Sequence, residues 1–465
     1  MAPSDRLRRT YWKAREAFIH GLPRLRSRWR LVLTHYTEQF CVLVLFLWTT
    51  RREQNDAVTE ASGRRMLFVT YYSPPYPSSL GTQRLTKFTK YWARAGWKIT
   101  LLTTAPGESD AVDIKGETFH PDVKVVRIAP AKAKPNLAYQ GRFVPDDFFM
   151  WVRPAVNAMN EIIRAERPDV IVATVPPYSN VLVAAICAAK HGIPLVTDFR
   201  DPWTQIDLSF VIHHKVLRWI NAILERRVLR NSQLCLIADD LKFLGQYFPD
   251  GKRWESKVVS VTNGYDEEDF FGTQDLGPPE DGIFRISYVG GLYDQKTFEY
   301  VIEPLQEWAR RHPEDMHFVR FVYAGNSSHI FKHDGAIPCA LENHDHLPHH
   351  QAIALRFQSH VQLCCLPPYF KPHLYSGKIF EMIRTPVPIL AVVRADSAPA
   401  KLVKDTKTGI SVAPGEAVAG ASYMKTIFDR WLVGKVEYSP RLEVIRNYSR
   451  ERLAETAAQA IKKAI

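Results

Sequence analysis

Short apolar segments alternate with amphipathic helical segments along most of this chain, and this alternation restricts the fold more than any other feature. Segments such as Met66–Tyr72, Val170–Thr174 and Val387–Val392 are almost entirely apolar. A strand of that kind is buried on both faces, which is typical of a parallel sheet covered by helices on either side. The pattern therefore predicts an α/β fold with doubly wound parallel sheets.

The alternation runs twice, and a polar stretch with prolines at residues 266–282 separates the two runs. The first run predicts a domain at residues 62–265, and the second predicts a domain at residues 283–438. Residues 439–465 add a last helix, and residues 1–61 form a basic extension with a polar linker. The chain is long enough for two such cores.

The charge balance indicates an anionic partner. The 465 residues carry a net charge of +12, which suits a nucleic acid, a nucleotide or an acidic membrane. No nucleic-acid-binding pattern accompanies the charge, so we expect no nucleic acid partner. The six cysteines show no Cys-x-x-Cys spacing and lie mostly in apolar runs. That favours buried thiols in a reducing, cytoplasmic compartment over disulfides or zinc.

Much of the positive charge lies in the extension. Up to Arg52 there are eleven lysines and arginines against three acidic residues. Apolar and aromatic residues at helical spacing, among them Tyr11 and Phe18, give residues 6–48 the pattern of a basic amphipathic segment on an anionic membrane surface. The apolar run Cys41–Trp48 is too short to span a bilayer. A disordered extension is the alternative, and both interpretations stay open.

The stretch Tyr375–Glu381 most clearly suggests a ligand. It follows an apolar strand and a proline-rich loop, and it opens a helix. Ser376 and Gly377 expose backbone N–H groups at the helix start, Lys378 adds a mobile cation, and Glu381 lies one turn further on. Such a set suits a phosphorylated ligand whose sugar hydroxyls donate to the carboxylate. An ordinary helix with Ser376 as its N-cap explains the same residues.

Two further strand ends of the second run turn on glycine. Gly290 and Gly291 follow one strand and precede Lys296, and Gly325 follows the next strand. Glycine lets the backbone approach a phosphate closely, and a lysine nearby can reach it. The spacing is neither a Walker A loop nor a dinucleotide-binding fingerprint. The motif alone does not identify the ligand.

The strand ends of the first run offer a different set of polar residues. A long loop reaches Gly81 and is followed by Arg84 near the helix start, while Asp198, Arg200 and Asp201 come directly after an apolar strand. Three charges in that place would make an unusual surface turn. They either contact a substrate or form an internal Arg–Asp pair that shapes the loop.

No metal site is expected from the sequence. One histidine-rich patch comprises His344, His346, His349 and His350, but no cysteine framework accompanies it and Asp345 is its one carboxylate. A polar loop explains the patch better than zinc does.

Six short segments, in the right order, resemble the GT-B-fold glycosyltransferases of family four, a group that includes many bacterial polysaccharide-building enzymes. The resemblance covers the chain from about Met66 to the C-terminus. The segments are Tyr72–Pro75, Pro168–Ile171, Gly192–Pro194 with Asp198–Trp203, Val261–Asp266, Tyr288–Leu292 and Ser376–Glu381.

The resemblance implies two Rossmann-like domains that face each other across a cleft, with the last helix crossing back to the first domain. It implies a nucleotide-sugar donor on the second domain, a glycan or lipid-linked acceptor on the first, and neither an obligatory metal nor a cofactor. The implied activity is a retaining hexosyl transfer in surface polysaccharide or glycolipid synthesis, in the cytoplasm at the membrane face. Glu381 matches the family's ribose-binding glutamate, and Lys296 matches its diphosphate-binding lysine.

The resemblance gives three sets of candidate residues. Those near the reaction centre are Asp198, Arg84 and His373. Those on the acceptor side are Gly81, Tyr178, Arg200 and Asp201. Those on the donor side are Gly290, Gly291, Lys296, Gly325, Ser376, Gly377, Lys378 and Glu381.

Two positions depart from the family pattern. The first glutamate of its Glu-x7-Glu motif falls at His373, and the arginine that usually partners the lysine falls at Gly291. The diphosphate would then depend on Lys296, Lys378 and backbone N–H groups. The departures leave a non-catalytic, glycosyltransferase-like binding protein open as an alternative. A nucleotide-sugar epimerase of the same fold is the other alternative.

Overall fold

The computed structural model describes residues 37–50, 64–76, 80–107, 118–130, 143–205, 215–273, 275–327, 336–435 and 437–465. Its first sheet has seven parallel strands in the order β3-β2-β1-β4-β5-β6-β7. The strands are β1 (Arg65–Val69), β2 (Lys98–Thr104), β3 (Val123–Ile128), β4 (Val170–Val175), β5 (Leu195–Phe199), β6 (Leu234–Ile237) and β7 (Val258–Ser260).

Helices cover both faces of this sheet. They are α1 (residues 37–49), α2 (Leu80–Arg94), α3 (Val152–Glu166), α4 (Ser179–His191), α5 (Lys215–Asn231), α6 (Leu244–Tyr247) and α7 (Gly251–Trp254). Side chains of β1 alternate between two cores, as the pleat requires. Leu67 and Val69 pack with α3, α4 and α5, while Met66 and Phe68 pack with α2 and the last helix. The first run is therefore doubly wound.

The second sheet has six parallel strands in the order β10-β9-β8-β11-β12-β13. They are β8 (Phe284–Val289), β9 (Val319–Ala324), β10 (Ala340–His344), β11 (Val361–Cys365), β12 (Ile389–Val392) and β13 (Gly409–Val412). Its helices are α8 (Gln295–Arg311), α9 (His349–Phe357), α10 (Lys378–Arg384), α11 (Ala398–Thr406) and α12 (Ala417–Leu432). The predicted α/β class with two parallel sheets is confirmed.

The sequence pattern missed both edges of the second sheet. Strands β10 and β13 are short, and their side chains are mostly half-buried or exposed, so they lack the apolar runs of the central strands. The helix α12 was missed as well. Strand β9 begins at Val319, because residues 313–317 before it form a turn of 3₁₀ helix. Edge strands bury fewer side chains than central strands, so their sequences contain fewer apolar residues and the strand pattern is weaker.

The chain returns to the first domain at its end, as predicted. Helices α13 (Leu442–Ile445) and α14 (Arg450–Ala464) follow the second sheet, and α14 packs against α2. Trp92 Nε1 on α2 donates to the Ala454 carbonyl at 2.8 Å. Gly264 marks the crossing point, since a Cβ there would lie 2.2 Å from the Tyr448 carbonyl oxygen. Only glycine allows the two backbone segments this approach.

Helix α1 is packed onto the first domain. Val42 and Phe46 are fully buried in the core that covers one face of the first sheet. Gln39 Nε2 donates to the Val144 carbonyl at 3.2 Å, and Arg227 Nη2 of α5 donates to the Leu47 carbonyl at 2.8 Å. Residues 6–36 of the predicted membrane segment lie outside the described residues. In the part of the chain that the structure describes, no helix has both the length and the apolar character to cross a membrane.

Candidate functional site

A cleft of about 1320 Å³ lies between α2 and the carboxyl ends of the strands of the second sheet. Its wall on the first domain includes Gln83, Lys87 and Lys90 of α2. The opposite wall consists of the loops after β8, β9 and β10, together with residues of α9 and α10. Ligands of open parallel sheets bind where the carboxyl ends of the strands meet, so this cleft is the candidate site.

The lysines of the α2 wall are held by carboxylates between the two domains. Lys87 Nζ lies 2.6 Å from Asp269 Oδ1, and Lys90 Nζ lies 2.6 Å from Asp266 Oδ2. Burial alone would raise the pKa of Asp266, but the charge of Lys87 and the hydrogen bonds from Lys90 and Tyr91 lower it to about 2. These two cations are thus neutralised within the protein, and they tie α2 to the interdomain segment.

Lys378 crosses the opposite wall beneath the glycine loop. Its ammonium lies 3.0 Å from the Gly291 carbonyl oxygen and 4.6 Å from the centre of the Tyr288 ring. Gly290 has a φ of +124°, and a Cβ at that position would lie 2.4 Å from Lys378 Cε. The glycine therefore makes room for the lysine stem. Desolvation in the cleft wall lowers the pKa of Lys378 to about 8, which leaves it mostly protonated at neutral pH.

Glu381 lies one turn further along α10 and faces a histidine and an arginine. Its Oε1 is 2.8 Å from His349 Nε2, and its Oε2 is 3.7 Å from Arg356 Nε. Burial would raise the pKa of Glu381, but the hydrogen bond from His349 and the charge of Arg356 lower it below its ordinary value. The same hydrogen bond raises the pKa of His349. Glu381 is therefore ionised, and its two oxygens face His349 and Arg356.

Arg356 belongs to this cluster, although sequence reasoning missed it. The residue is 3 % exposed, lines the cleft and lies on the buried side of α9. Its Nη2 donates to the Val289 carbonyl at 3.3 Å and its Nη1 to Gln362 Oε1 at 3.4 Å, while the buried Nε has no hydrogen-bond partner. Burial lowers its pKa from the ordinary value for arginine. The available signal was a cation within the apolar run of α9, because buried arginines are rare without a partner.

The charges of the cluster do not balance. Lys378 and Arg356 contribute two positive charges, and His349 adds a third when it is protonated. Among the described residues, Glu381 is the carboxylate that pairs with His349 and Arg356, while Lys378 contacts the Gly291 carbonyl. Uncompensated charge that is shielded from water is costly, and an anion bound in the cleft would offset it. Such an arrangement of charges is suited to binding a phosphate, with a carboxylate beside it that can accept from hydroxyls.

The backbone at the start of α10 contributes less than the sequence suggested. Helix α10 spans seven residues and is preceded by Gly377 without a side-chain cap bond. Ser376 is buried and does not act as the N-cap, which corrects that alternative. Gly325 lines the cleft, and a Cβ there would lie 2.6 Å from the Gly290 carbonyl oxygen. The cation of Lys378, rather than a long helix dipole, dominates this wall.

Lys296 is not brought together with Lys378. Its Nζ lies 2.7 Å from Glu299 Oε2 on the outer side of α8, the side chain is 55 % exposed, and the residue does not line the cleft. Asp294 caps α8 by accepting from the Thr297 N–H at 2.7 Å, which sets the direction of the first turn. The structure thus does not place the two predicted diphosphate contacts at one site.

Arg84 and Asp198 form a buried pair with each other. Arg84 Nη2 lies 2.8 Å and its Nε 3.2 Å from the two carboxylate oxygens of Asp198. Arg84 Nη1 also donates to the Thr262 carbonyl, and Thr174 Oγ1 donates to Asp198 at 2.9 Å. Neither residue lines the cleft. Of the two alternatives for this strand end, the internal Arg–Asp pair is the one that the structure shows, although its aspartate pairs with Arg84 rather than with Arg200.

The remaining acceptor-side candidates surround the end of β5. Arg200 Nε donates to the Val175 carbonyl at 3.1 Å, and desolvation raises the pKa of Asp201. Tyr178 stacks on Trp203 with ring centres 4.9 Å apart and donates to the Pro202 carbonyl. Gly81 lies in the first turn of α2. These residues lie around the carboxyl edge of the first sheet rather than in the wall with Lys378.

His373 contacts the first domain rather than the cleft. The residue is fully buried, its Nδ1 lies 3.0 Å from Gln246 Oε1, and Phe243 and Tyr247 pack on its ring. Burial lowers the pKa of His373 to about 4, so the ring is neutral. Its Nε2 has no hydrogen-bond partner. Lys371 close by donates to the Gln205 carbonyl, so this segment joins the two domains.

The histidine-rich patch divides between two roles. His344 pairs with Glu342 at 2.8 Å on the edge strand β10, whereas His346, His349 and His350 line the cleft. Across the described ranges, no group of three or more histidine, cysteine, aspartate or glutamate side chains has the arrangement of a metal site.

Comparisons with known proteins agree with this architecture. The family described as "Glycosyl transferase 4-like domain" matches residues 81–239. No curated protein matches the chain. Solved structures do: sucrose-phosphate synthase from Thermosynechococcus elongatus is 13% identical, with a TM-score of 0.60 over 86% of this chain and 99% of that one.

Two further structures show the same extent of similarity. Anabaena Alr3699/HepE, solved in complex with UDP and glucose, is 14% identical with a TM-score of 0.56, over 86% of this chain and 100% of that chain. The lipopolysaccharide outer core galactosyltransferase WaaB is 11% identical with a TM-score of 0.53, over 86% and 100%. The resemblance drawn from the sequence is confirmed: residues 81–239 match the model of a glycosyl transferase 4-like domain, and the chain has the GT-B fold of these solved structures.

Proposed function

We propose that the protein is a nucleotide-sugar-dependent glycosyltransferase whose donor binds between Lys378, Arg356 and Glu381. The observation that carries this proposal is the excess of positive charge around one carboxylate, at the carboxyl edge of the second sheet in a cleft of about 1320 Å³. A nucleoside diphosphate supplies the missing negative charge, and its ribose supplies hydroxyl donors for Glu381. Similar structures hold UDP with glucose and UDP-2-fluoro glucose, which supports this ligand class.

The proposed chemistry depends on positively charged side chains placed where negative charge develops on the leaving group. In the transfer, the bond between the sugar anomeric carbon and the diphosphate oxygen breaks, and a bond to the acceptor oxygen forms. Lys378 and Arg356 stabilise the negative charge that grows on the leaving diphosphate, and the acceptor proton passes to a phosphate oxygen. We propose that the transfer retains the anomeric configuration, with the leaving diphosphate serving as the base for the acceptor hydroxyl. We also propose that no metal ion is needed, because Lys378 and Arg356 supply the positive charge.

We further propose that the acceptor is a glycan or a lipid-linked glycan of surface polysaccharide or glycolipid synthesis. The protein would act at the cytoplasmic face of the membrane, which its basic segment at residues 6–48 contacts. Deletion of residues 1–36 tests that contact without removing Val42 and Phe46, which belong to the core of the first domain. The shortened protein should keep its fold and bind anionic vesicles more weakly than the full chain. Equal binding of both would contradict the contact.

Calorimetry with UDP-, GDP-, TDP- and ADP-sugars tests the enzyme proposal. We expect one of them to bind, and we expect Glu381→Ala and Lys378→Ala each to weaken that binding while the protein stays folded. If none binds, the protein is a non-catalytic relative; the buried position of His373 and the glycine at Gly291 are the observations that favour that second candidate.

Incubation with the bound nucleotide sugar alone separates transferase from epimerase. A transferase should leave the sugar configuration unchanged in the absence of an acceptor. Epimerised sugar in that experiment would assign the second activity.

A further inference from the structure

Helix α1 and the first turns of α5 expose large apolar side chains on the first domain. Phe40 is 66 %, Val44 48 % and Leu47 40 % exposed, while Val216 and Trp219 of α5 are each 65 % exposed. The opposite side of α1 is buried in the core through Val42 and Phe46, so this helix is apolar on both sides. One side of α1 is already buried in the core, so the apolar side chains on its other side are exposed to water. An exposed apolar surface of this kind is typical of an interaction site.

The two helices contact each other at their carboxyl-terminal turns. Leu47 and Thr50 of α1 accept hydrogen bonds from Arg227 of α5, and Thr50 also accepts one from Asn231. Partly buried residues of both helices, among them Leu43 of α1 and Ile220 of α5, also pack against the same core of the first domain. The exposed apolar side chains of α1 and α5 therefore belong to two helices of one layer on the first domain, and we treat them as one face.

Cations border this face and continue beyond it. Lys215 and Arg218 are exposed beside Val216 and Trp219 on α5. Residues 1–36, which lead directly into α1, contain nine lysines and arginines against Asp5 and Glu16. Aromatic and aliphatic side chains flanked by basic residues match the boundary of an anionic bilayer, where rings enter the interface and cations meet the headgroups.

The same face adjoins the acceptor side of the molecule. Helix α5 follows the carboxyl edge of the first sheet, and Trp203 Nε1 from that edge donates to Asn221 Oδ1 of α5 at 3.0 Å. Trp203 in turn stacks on Tyr178. Of the acceptor-side residues, Tyr178 therefore lies next to a tryptophan that contacts the turns of α5 carrying the exposed Trp219.

We propose that α1 and the first turns of α5 form a docking face for an anionic lipid bilayer and that this face delivers a lipid-linked acceptor to the adjacent edge of the first sheet. The inference rests on the proposed glycosyltransferase function and narrows its acceptor to the lipid-linked class. A soluble glycan acceptor would gain nothing from an apolar face at that edge, whereas an acceptor held in the bilayer has to be approached from the membrane surface.

Vesicle flotation of the full chain tests the docking face. The probes are vesicles of phosphatidylglycerol and phosphatidylcholine in about equal parts, and vesicles of phosphatidylcholine alone. Wild-type protein should float with the anionic vesicles, and Trp219→Glu should lower the partition coefficient by roughly tenfold. Phe40→Glu should act in the same direction. Both side chains are exposed, so the fold should survive, and the melting temperature checks this.

The matched control is Val433→Glu, because Val433 is also 65 % exposed but lies beyond α12 on the second domain. Its flotation should equal that of wild type. Flotation of Trp219→Glu at the wild-type level would overturn the docking face. So would a dimer of the wild-type chain that Trp219→Glu dissociates, since a second copy would then cover the same side chains.

The acceptor class is tested with membrane fractions and a radiolabelled nucleotide sugar from the panel above. Label that enters an organic-solvent extract, and does so less with Trp219→Glu than with Val433→Glu, supports a lipid-linked acceptor. Label confined to water-soluble glycan overturns it. Failure of the enzyme proposal looks different: no nucleotide sugar would bind in solution, whatever the vesicles show.

Discussion

The carboxyl edges of the two sheets differ in how their buried charges are paired. At the first edge, Arg84 and Asp198 satisfy each other and the neighbouring backbone within hydrogen-bond distance. At the second edge, Lys378 contacts the Gly291 carbonyl oxygen, Arg356 lies 3.7 Å from the carboxylate of Glu381, and the Nε of Arg356 has no hydrogen-bond partner. Both edges are places where ligands bind in open parallel sheets. The first pair is complete without a ligand, and the second cluster is not.

We infer from this difference that the paired charges of the first edge stabilise the fold, whereas the surplus charges of the second edge serve to bind a ligand. A buried charge whose donors and acceptors are all used inside the protein contributes to stability only as long as its partner remains. A cluster with surplus charge costs stability in the free protein and gains when an anion binds. Mutations at the two edges should therefore act on different measurements, one on unfolding and the other on binding.

The largest effect should come from breaking the complete pair. Arg84→Met leaves the buried carboxylate of Asp198 without its arginine, while the hydrogen bond from Thr174 remains. We expect a loss of about 3–5 kcal/mol in the free energy of unfolding, because an uncompensated buried charge remains. Chemical denaturation, followed by circular dichroism, measures this loss.

The double variant Arg84→Met with Asp198→Leu sharpens that result. Removing both charges should recover a large part of the lost stability, since apolar replacements for a buried ion pair are often close to neutral. If Arg84→Met instead left unfolding unchanged and abolished turnover, the pair would be catalytic, and the contrast between the edges would fail.

The second largest effect should appear at the incompletely paired cluster of Lys378, Arg356 and Glu381, the open cluster. Arg356→Met should weaken nucleoside diphosphate binding by about 1.5–3 kcal/mol, which is roughly ten- to a hundredfold, because a charge-assisted contact is lost. Its unfolding free energy should change little or rise, since the removed charge was incompletely paired. Arg285→Met serves as the control, because Arg285 is a buried arginine of the same domain that pairs with Asp281 away from the cleft.

Calorimetry on both variants decides between the interpretations. Arg285→Met should lose stability and keep its nucleotide affinity. If Arg356→Met behaves as Arg285→Met does, Arg356 is structural and the surplus charge of the cluster has no ligand.

Raising the pH should weaken nucleotide binding at the cluster and, over part of the range, increase the stability of the folded state. Desolvation lowers the pKa of Lys378 from 10.5 to about 8. As the pH rises through 8, Lys378 loses its proton, and nucleotide affinity should fall by up to about tenfold per pH unit. Between pH 8 and 10.5 the unfolded chain holds a proton that the folded chain has lost, so this residue makes the folded state more stable as the pH rises. Lys378→Met should remove both trends, as measured by calorimetry and by denaturation at each pH.

How much of this could be read from the sequence depended on whether the signal was local. The apolar strands that build both sheets and the start of α10 at Lys378 were predictable, because they follow from consecutive residues. Arg356 was not, since its place in the cleft depends on how α9 packs against the end of β8, and nothing near it in sequence identifies a phosphate site. Lys296 fits the family pattern by position, yet its side chain points along the outer side of α8 toward Glu299.

The smallest effect is therefore expected for Lys296→Ala, and it tests the boundary of the site. The ammonium of Lys296 is exposed and pairs with Glu299 on the same helix, so it contributes little to folding, and nothing in this arrangement directs it to the diphosphate. Nucleotide affinity should change by no more than about twofold, against at least about tenfold for Lys378→Ala in the same titration. A loss as large as that of Lys378→Ala would mean that the first turn of α8 rearranges when the donor binds and closes Lys296 over the diphosphate. The loop between Gly291 and Asp294 would then be the moving part, and the open cluster would be completed by a cation that the free protein holds on its surface.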